Sequence, residues 1–451
     1  MQRIVIIGAG LTGLSAAYHL EQLGHHNIAI YEQESSVGGL TRSFSKDGFT
    51  FDYTGHFLHS NNQYFSDFLE KIFATGELQA IERVARIFIN NTFISYPFQT
   101  NVTQLSKDLF CECVEAFIKR PRSSIAPKNF KQWLLTAFGK GMCKHFFYPY
   151  NRKILSYPLH KAMAEQGGRF VPNTSLADIL SPLQDASVKN VGYNTHFLYP
   201  QQGGIQSFST NIAKKIHSKP RTNTTIAHID PYKKTLYLAD GSTESYDVLI
   251  STMPLDSLLQ KTGFGTNSNL SHQAKNLVCN TVINVNIGVN RPFITANHWM
   301  YFPEKKYSFY RLGCWSAISP TLAPAETSSL YAEISALYPT EKELTKKIHR
   351  TRRDALNLFG ISPNEICIEK TLILKHAYVI YDAWRKNNLP TLLETLKSTF
   401  NIHSVGRFGS WKYSSMQEAI LDGKQTAEEL IQRMTLHQSV PHKFMSKQEQ
   451  I

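Results

Sequence analysis

The feature that most constrains this chain lies at its start. Residues 3–7, Arg-Ile-Val-Ile-Ile, form a short, β-branched apolar run, the pattern of a buried parallel strand. Gly8-Ala9-Gly10-Leu11-Thr12-Gly13 follows at once. Ala16, Leu20 and Leu23 then recur at helical spacing, and Gly24 offers a stop. A second strand runs from Asn27 and closes on Glu32. G-x-G-x-x-G is a weak signal alone, but between a strand and a helix, with an acid ending the next strand, it predicts a bound dinucleotide. Gly8 permits the tight turn, Gly10 lets a pyrophosphate approach the backbone, and Gly13 lets helix and strand pack closely. The helix N-terminus offers free N–H groups to the phosphates. Glu32 is placed to accept hydrogen bonds from ribose hydroxyls.

A chain of 451 residues predicts two to three domains at roughly 150 residues each. Residues 1–60 hold the first part of the dinucleotide domain. Residues 61–193 read as a helical insert or cap, with short apolar pieces such as Ala-Arg-Ile-Phe-Ile. The α/β pattern returns over 194–262. Over 263–400 the pattern is that of an antiparallel sheet. Its strongest strand alternates Ile283, Val285, Ile287 and Val289 with Asn284, Asn286, Gly288 and Asn290, which predicts one buried face. Residues 401–435 return to the first domain through a helix from about Met416 to Met434, and 436–451 are expected to be a flexible tail.

Composition removes several classes. No run approaches the roughly 18 apolar residues of a membrane-spanning helix, and the start reads as a strand, not a signal peptide. The six scattered cysteines suit reduced thiols in a cytoplasmic protein. The net charge of +13 suits an anionic partner. The basic residues are dispersed, however, so no nucleic acid is expected. His56 and His59 stand three apart without further ligands at metal spacing, so no metal is expected.

Further motifs carry a resemblance. Glu32, Gly38-Gly39-Leu40 and Arg42 form an E-x(5)-G-G-x-x-R arrangement that resembles the FAD-binding amine-oxidase and protoporphyrinogen-oxidase-like flavoproteins, in which the double glycine meets the pyrophosphate side of FAD. Residues 406–430 resemble the C-terminal flavin motif of that superfamily. This implies that the Gly406-Arg407 turn meets the ribityl chain or pyrophosphate, and that a helix opening at Ser415 and Met416 points at the flavin. By the same resemblance Ile226 contacts the adenine through its backbone, and Thr54, Gly55 and His56 border the isoalloxazine. His56 is also the candidate general acid or base, while His59 reads as structural. The implied fold is α/β: a Rossmann-type FAD-binding domain, discontinuous in sequence, with an antiparallel-sheet substrate domain and a helical insert.

Within the superfamily the chain most resembles UDP-galactopyranose mutases. That likeness assigns Arg169, Arg311, Tyr378 or Tyr381, and Tyr413 to a substrate diphosphate. Two arginines can fork onto phosphate oxygens while tyrosine hydroxyls complete the shell. Trp411 stands near a flavin or substrate edge in this reading, and Trp133 is a loose candidate for the uridine side. The bacterial strings around the substrate arginine are not reproduced. Two chemistries follow. The first is hydride transfer between an organic substrate and flavin. The alternative is redox-neutral isomerisation of a UDP-sugar by reduced flavin N5, with NAD(P)H as reductant. Both take a small-molecule substrate. Association with a membrane surface and the oligomeric state are left open.

Overall fold

The computed structural model describes residues 1–122, 125–167, 174–184, 195–264 and 269–439. Four parallel strands, in the order Ile402–Ser404, Val248–Ser251, Ile4–Ile7 and Ile28–Tyr31, make the nucleotide-binding sheet. They come from three separate stretches of the chain, so the expected discontinuous Rossmann-type domain forms. The strands Ile4–Ile7, Ile28–Tyr31 and Val248–Ser251 are buried throughout, as expected for a parallel sheet covered on both sides. One cover is the helix Leu11–Gln22, which crosses the long helix Met416–Ser439 closely. A Cβ on Gly423 would stand 2.6 Å from the Thr12 carbonyl.

A seven-stranded sheet forms the second body. Its order is Ile366–Leu374, Thr281–Val289, Ser328–Ala336, Arg311–Cys314, Trp299–Tyr301, Ala85–Ile89, Thr92–Ser95. It is antiparallel except where Trp299–Tyr301 runs parallel to Ala85–Ile89. Two of its strands therefore come from the stretch read as a helical insert, and Leu78–Glu82 pairs with His196–Pro200 besides. The missed signal is Asn90-Asn91. Both residues take positive φ, 50° and 58°, and so make the tight hairpin turn that asparagine tolerates. Elsewhere among its described residues the insert carries helices, with Lys107–Ile118, Phe130–Met142 and Tyr148–Leu155 packed around a phenylalanine-rich core.

The strand Thr281–Val289 also departs from expectation, since both its faces are buried. The apolar face packs toward the helix Glu341–Phe359. The asparagine face meets the flavin domain and not water. Asn284 Nδ2 donates to the Tyr53 carbonyl at 3.0 Å, and Trp315 Nε1 donates to Asn286 Oδ1 at 2.9 Å. Polar alternation marked an interdomain seam, where the amide nitrogens of Asn284 and Asn286 both donate to backbone carbonyls while Asn284 Oδ1 is left without a partner among the described residues. The C-terminal helix continues to Ser439, past the expected start of the tail. Residues 440–451 lie outside the described residues. Among the described residues no helix is long and apolar enough to cross a membrane.

Candidate active site

Two loops build a cradle beside the first strand. Gly8 has φ +97°, and a side chain there would collide with the Thr252 hydroxyl. Gly10 opens the helix Leu11–Gln22, which has no side-chain cap and no acid in its first turn. Its orphan N–H groups, around Leu11, Thr12 and Gly13, are thus left for an anion. The second loop lies against the first: Gly38 N–H donates to the Ala9 carbonyl at 2.8 Å. A Cβ on Gly39, itself at φ +56°, would approach Gly10 Cα to 3.4 Å. Any side chain at either glycine would fill the space between the loops.

Glu32 is buried and already oriented. Its Oε2 accepts from Ala9 N–H at 2.8 Å and its Oε1 from Glu34 N–H at 2.9 Å. Arg42 pins the second loop. It donates to the Gly39 carbonyl at 3.1 Å and to Glu34 at 2.6 Å, over the Tyr53 ring. Leu40 packs against the small cluster of Val282, Leu374 and Ala377, as do Tyr53 and Tyr378. Ile226 begins an edge strand, and its carbonyl accepts from Lys261 Nζ at 2.7 Å, a bond the expected adenine contact has to share.

The C-terminal segment closes this cradle. Gly406, at φ +79°, lies so close to Thr12 that a Cβ would stand 2.7 Å from its hydroxyl. Arg407 does not reach outward. It turns back and donates to the carbonyls of Ala377 and Ser414, each at 2.8 Å, with its guanidinium 4.5 Å from the Tyr413 ring. Ser415 caps the helix it precedes. Its hydroxyl accepts from Glu418 N–H at 3.2 Å, and Glu418 accepts from Ser415 N–H at 2.8 Å. Met416 begins the helix and packs on the core.

Beside the cradle lies a cleft of tyrosines. Arg311 and Glu333 face each other across paired strands. Both oxygens of the fully buried Glu333 accept from Arg311, and one also accepts from the Tyr310 hydroxyl at 2.7 Å. Glu333 Oε1 further accepts from Gly55 N–H at 3.3 Å. This carboxylate therefore ties the arginine to the loop that carries His56. Tyr150, Tyr301 and Tyr378 also stand within the field of Arg311. Tyr150 meets Tyr301 edge to face, and Tyr378 stacks on Tyr413. Burial pushes the hydroxyls of Tyr150, Tyr301, Tyr310, Tyr331 and Tyr378 above the ordinary tyrosine pKa. They are protonated donors at neutral pH. The Tyr331 hydroxyl is buried without a partner among the described residues.

His56 shares a hydrogen bond of 2.9 Å between its Nδ1 and the Thr54 hydroxyl. Burial, then the charges of Arg407 and Arg311, lower its pKa to about 3. The ring is thus neutral, which suits hydrogen bonding and opposes the expected proton transfer. His59 Nδ1 donates to the His196 carbonyl at 3.2 Å, in a structural position.

The tyrosine alternatives separate by geometry. Tyr378 faces Arg311, whereas the Tyr381 hydroxyl accepts from Tyr413 N–H at 2.9 Å beneath Arg385. Trp411 is fully buried in the nucleotide domain core, and Trp133 stacks on Phe130 in the helical cap. Arg169 lies outside the described residues. Sequence reading missed Glu333, Tyr150, Tyr301 and Tyr331. A lone acid inside the buried strand Ser328–Ala336 was the available signal for Glu333, since an unpaired charge is not kept there.

Cradle and cleft together define a flavin-dependent enzyme. The glycine-walled gap, the uncapped helix and the oriented Glu32 fit FAD. Residues 11–431 match the family of flavin containing amine oxidoreductases, and the chain belongs to it. FAD is its cofactor.

Among solved structures it is similar to reduced UDP-galactopyranose mutase, with TM-score 0.88 and 28% identity over 96% of this chain and 95% of that one. It shares the fold of putrescine oxidase, with TM-score 0.64 and 15% identity over 96% of this chain and 99% of that one. Among curated proteins it is 23% identical over 340 residues to 4,4'-diapolycopene oxygenase of Methylomonas sp, covering 67% of this chain. That match spans 65% of the oxygenase's own length, which is under two thirds. A 4,4'-diapophytoene desaturase of Staphylococcus haemolyticus is 51% identical over 49 residues, 11% of this chain and 10% of the desaturase.

Proposed function

We propose that this enzyme isomerises a nucleoside-diphosphate sugar without net redox change, with FAD in its reduced state. The observation that carries the reading is the Arg311–Glu333 pair ringed by protonated tyrosines beside the Gly55-His56 loop. When bound and reduced, FAD supplies a nucleophile for the anomeric carbon. The chain's own part is to bind and orient. Arg311 Nη1 has no partner among the described residues and can fork onto a phosphate oxygen together with the tyrosine hydroxyls. A neutral His56 holds its loop through Thr54. Glu333 is committed to Arg311, Tyr310 and Gly55, so it is not free to act as an acid or base. That fits a reaction whose leaving group is a nucleoside diphosphate, already a stable anion. Holding the sugar in place is a positioning task, worth several kcal/mol of the barrier, of the order of 7–11 in well-oriented systems. All six cysteines are free thiols, which suits a cytoplasmic setting where a nicotinamide reductant is at hand.

A second reading is oxidation of an apolar substrate. It is favoured by the phenylalanine-rich helical cap and by the oxygenase and desaturase relatives. One experiment separates them. The FAD-loaded enzyme is incubated with UDP-galactopyranose or UDP-galactofuranose under nitrogen, with and without NADPH or dithionite. Interconversion only in the reduced sample is the expected result. No interconversion in either state, together with oxygen consumption in a separate aerated sample given an apolar polyene or amine, would overturn the isomerase reading in favour of the oxidase.

A further inference from the structure

A second cleft, of about 430 Å³, opens between the nucleotide domain and the seven-stranded sheet. Its size falls in the range of small-molecule sites, and domain junctions are where such sites concentrate. Asp256 and His376 stand at its floor, joined by a hydrogen bond of 2.9 Å from His376 Nε2 to the carboxylate. The other ring nitrogen of His376 has no partner among the described residues. Lys375 is exposed at the same edge. The walls are apolar. Leu344 contributes from the helix Glu341–Phe359, and Ile373 and Tyr338 stand at the mouth with 46% and 65% of their surfaces in solvent. None of these groups serves the flavin cradle or the tyrosine cleft.

The cleft has the chemistry of an amphipathic anion site. Asp256 opposes an anion but is engaged by His376, and the Lys375 ammonium stands at the polar edge with no ion pair among the described residues. Hydrocarbon walls lead from that edge to solvent. We propose that this cleft is a second ligand site, which takes a medium-chain or aromatic monocarboxylate with its head at Lys375 and His376 and its apolar part against Leu344, Ile373 and Tyr338.

Occupancy there is coupled to the active site through the backbone. His376 is followed by Ala377, whose carbonyl accepts from Arg407, and by Tyr378, which lines the tyrosine cleft. On the other wall Cys279 is followed by Asn280, which accepts from the N–H groups of both Ala377 and Tyr378. A ligand that shifts His376 therefore moves groups that border the flavin loop.

The test is calorimetric titration of octanoate into the FAD-loaded full chain, with the flavin absorbance recorded in parallel. Saturable binding at one site is expected, weakened at least tenfold in Lys375→Glu and abolished in Leu344→Trp, which fills the cleft. A small flavin band shift should accompany binding in the unaltered protein. Lys375 is exposed, so its variant stays informative even if Leu344→Trp folds poorly. The proposal is overturned by an absence of saturable binding, by binding that survives both substitutions, or by binding lost in Arg311→Ala and kept in Lys375→Glu, which would place octanoate in the tyrosine cleft.

Discussion

Glu333 lies directly opposite Arg311 across two antiparallel strands and holds its guanidinium through both carboxylate oxygens, at 2.9 Å to Nε and 2.7 Å to Nη2. The pair is neutral as a unit, which lets a cation sit in the protein interior. It also means that neither charge can be removed without stranding the other.

Glu333→Ala should therefore lower stability by about 3–5 kcal/mol, the cost of an uncompensated buried charge. Arg311→Ala should leave FAD bound and remove the thermal stabilisation by UDP that the unaltered enzyme is expected to show. Melting curves of the FAD-loaded variants, with and without UDP, check both. A UDP shift unchanged in Arg311→Ala would reject the diphosphate role.

The two first glycines of the cradle should fail differently. Gly10 has ordinary backbone angles and borders the gap facing Gly39. Gly10→Ala should fold normally and bind FAD roughly tenfold or more weakly, about 1.4 kcal/mol. Gly8 needs its positive φ and abuts Thr252, so Gly8→Ala should destabilise the protein even before FAD is added. Apo-protein melting and FAD titration separate the two.

Asp52 is a buried acid held by the Tyr199 hydroxyl and Ile205 N–H, and burial raises its pKa to about 6. A raised folded-state pKa means that the native state binds the proton more tightly than the unfolded chain. Its contribution is complete below the unfolded value of about 4 and is lost as pH rises through about 6. The size is on the order of 3 kcal/mol. Asp52→Asn should remove that pH dependence, measured by urea unfolding across the interval.

His56 predicts a negative result. With its pKa near 3 it carries no charge change in the physiological range. The pH dependence of turnover in His56→Gln should keep the shape of the parent curve while its height falls. Loss of a limb near about pH 6.5 would show that His56 titrates in the working enzyme.

The legible parts of this protein share a property. Gly8, Gly38 and Gly39 act through their own positive φ, Gly10 and Gly13 through the side chain they lack, and Glu32 directly follows the strand that leads into the second loop. The start of the C-terminal helix at Met416 was legible too, because a cap and the turn it satisfies are neighbours in sequence. The strands Ala85–Ile89 and Thr92–Ser95 were not, since their turn uses two asparagines in place of glycine. Nor was the burial of Asn284 and Asn286, whose partners lie at Tyr53 and Trp315. Alternation shows that a strand has two different faces, and it does not show what covers them.

By itself the sequence determined the nucleotide cradle and the class of cofactor, because backbone conformation and local hydrogen bonding are set by neighbouring residues. Only the tertiary structure decided what faces the flavin loop. Strand register put Glu333 opposite Arg311, and the return of the C-terminal segment stacked Tyr413 on Tyr378 and turned Arg407 inward to the carbonyls of Ala377 and Ser414. The reason is physical: a buried charge is tolerable only beside its partner, and that partner comes from a distant stretch that pairing and packing alone bring near.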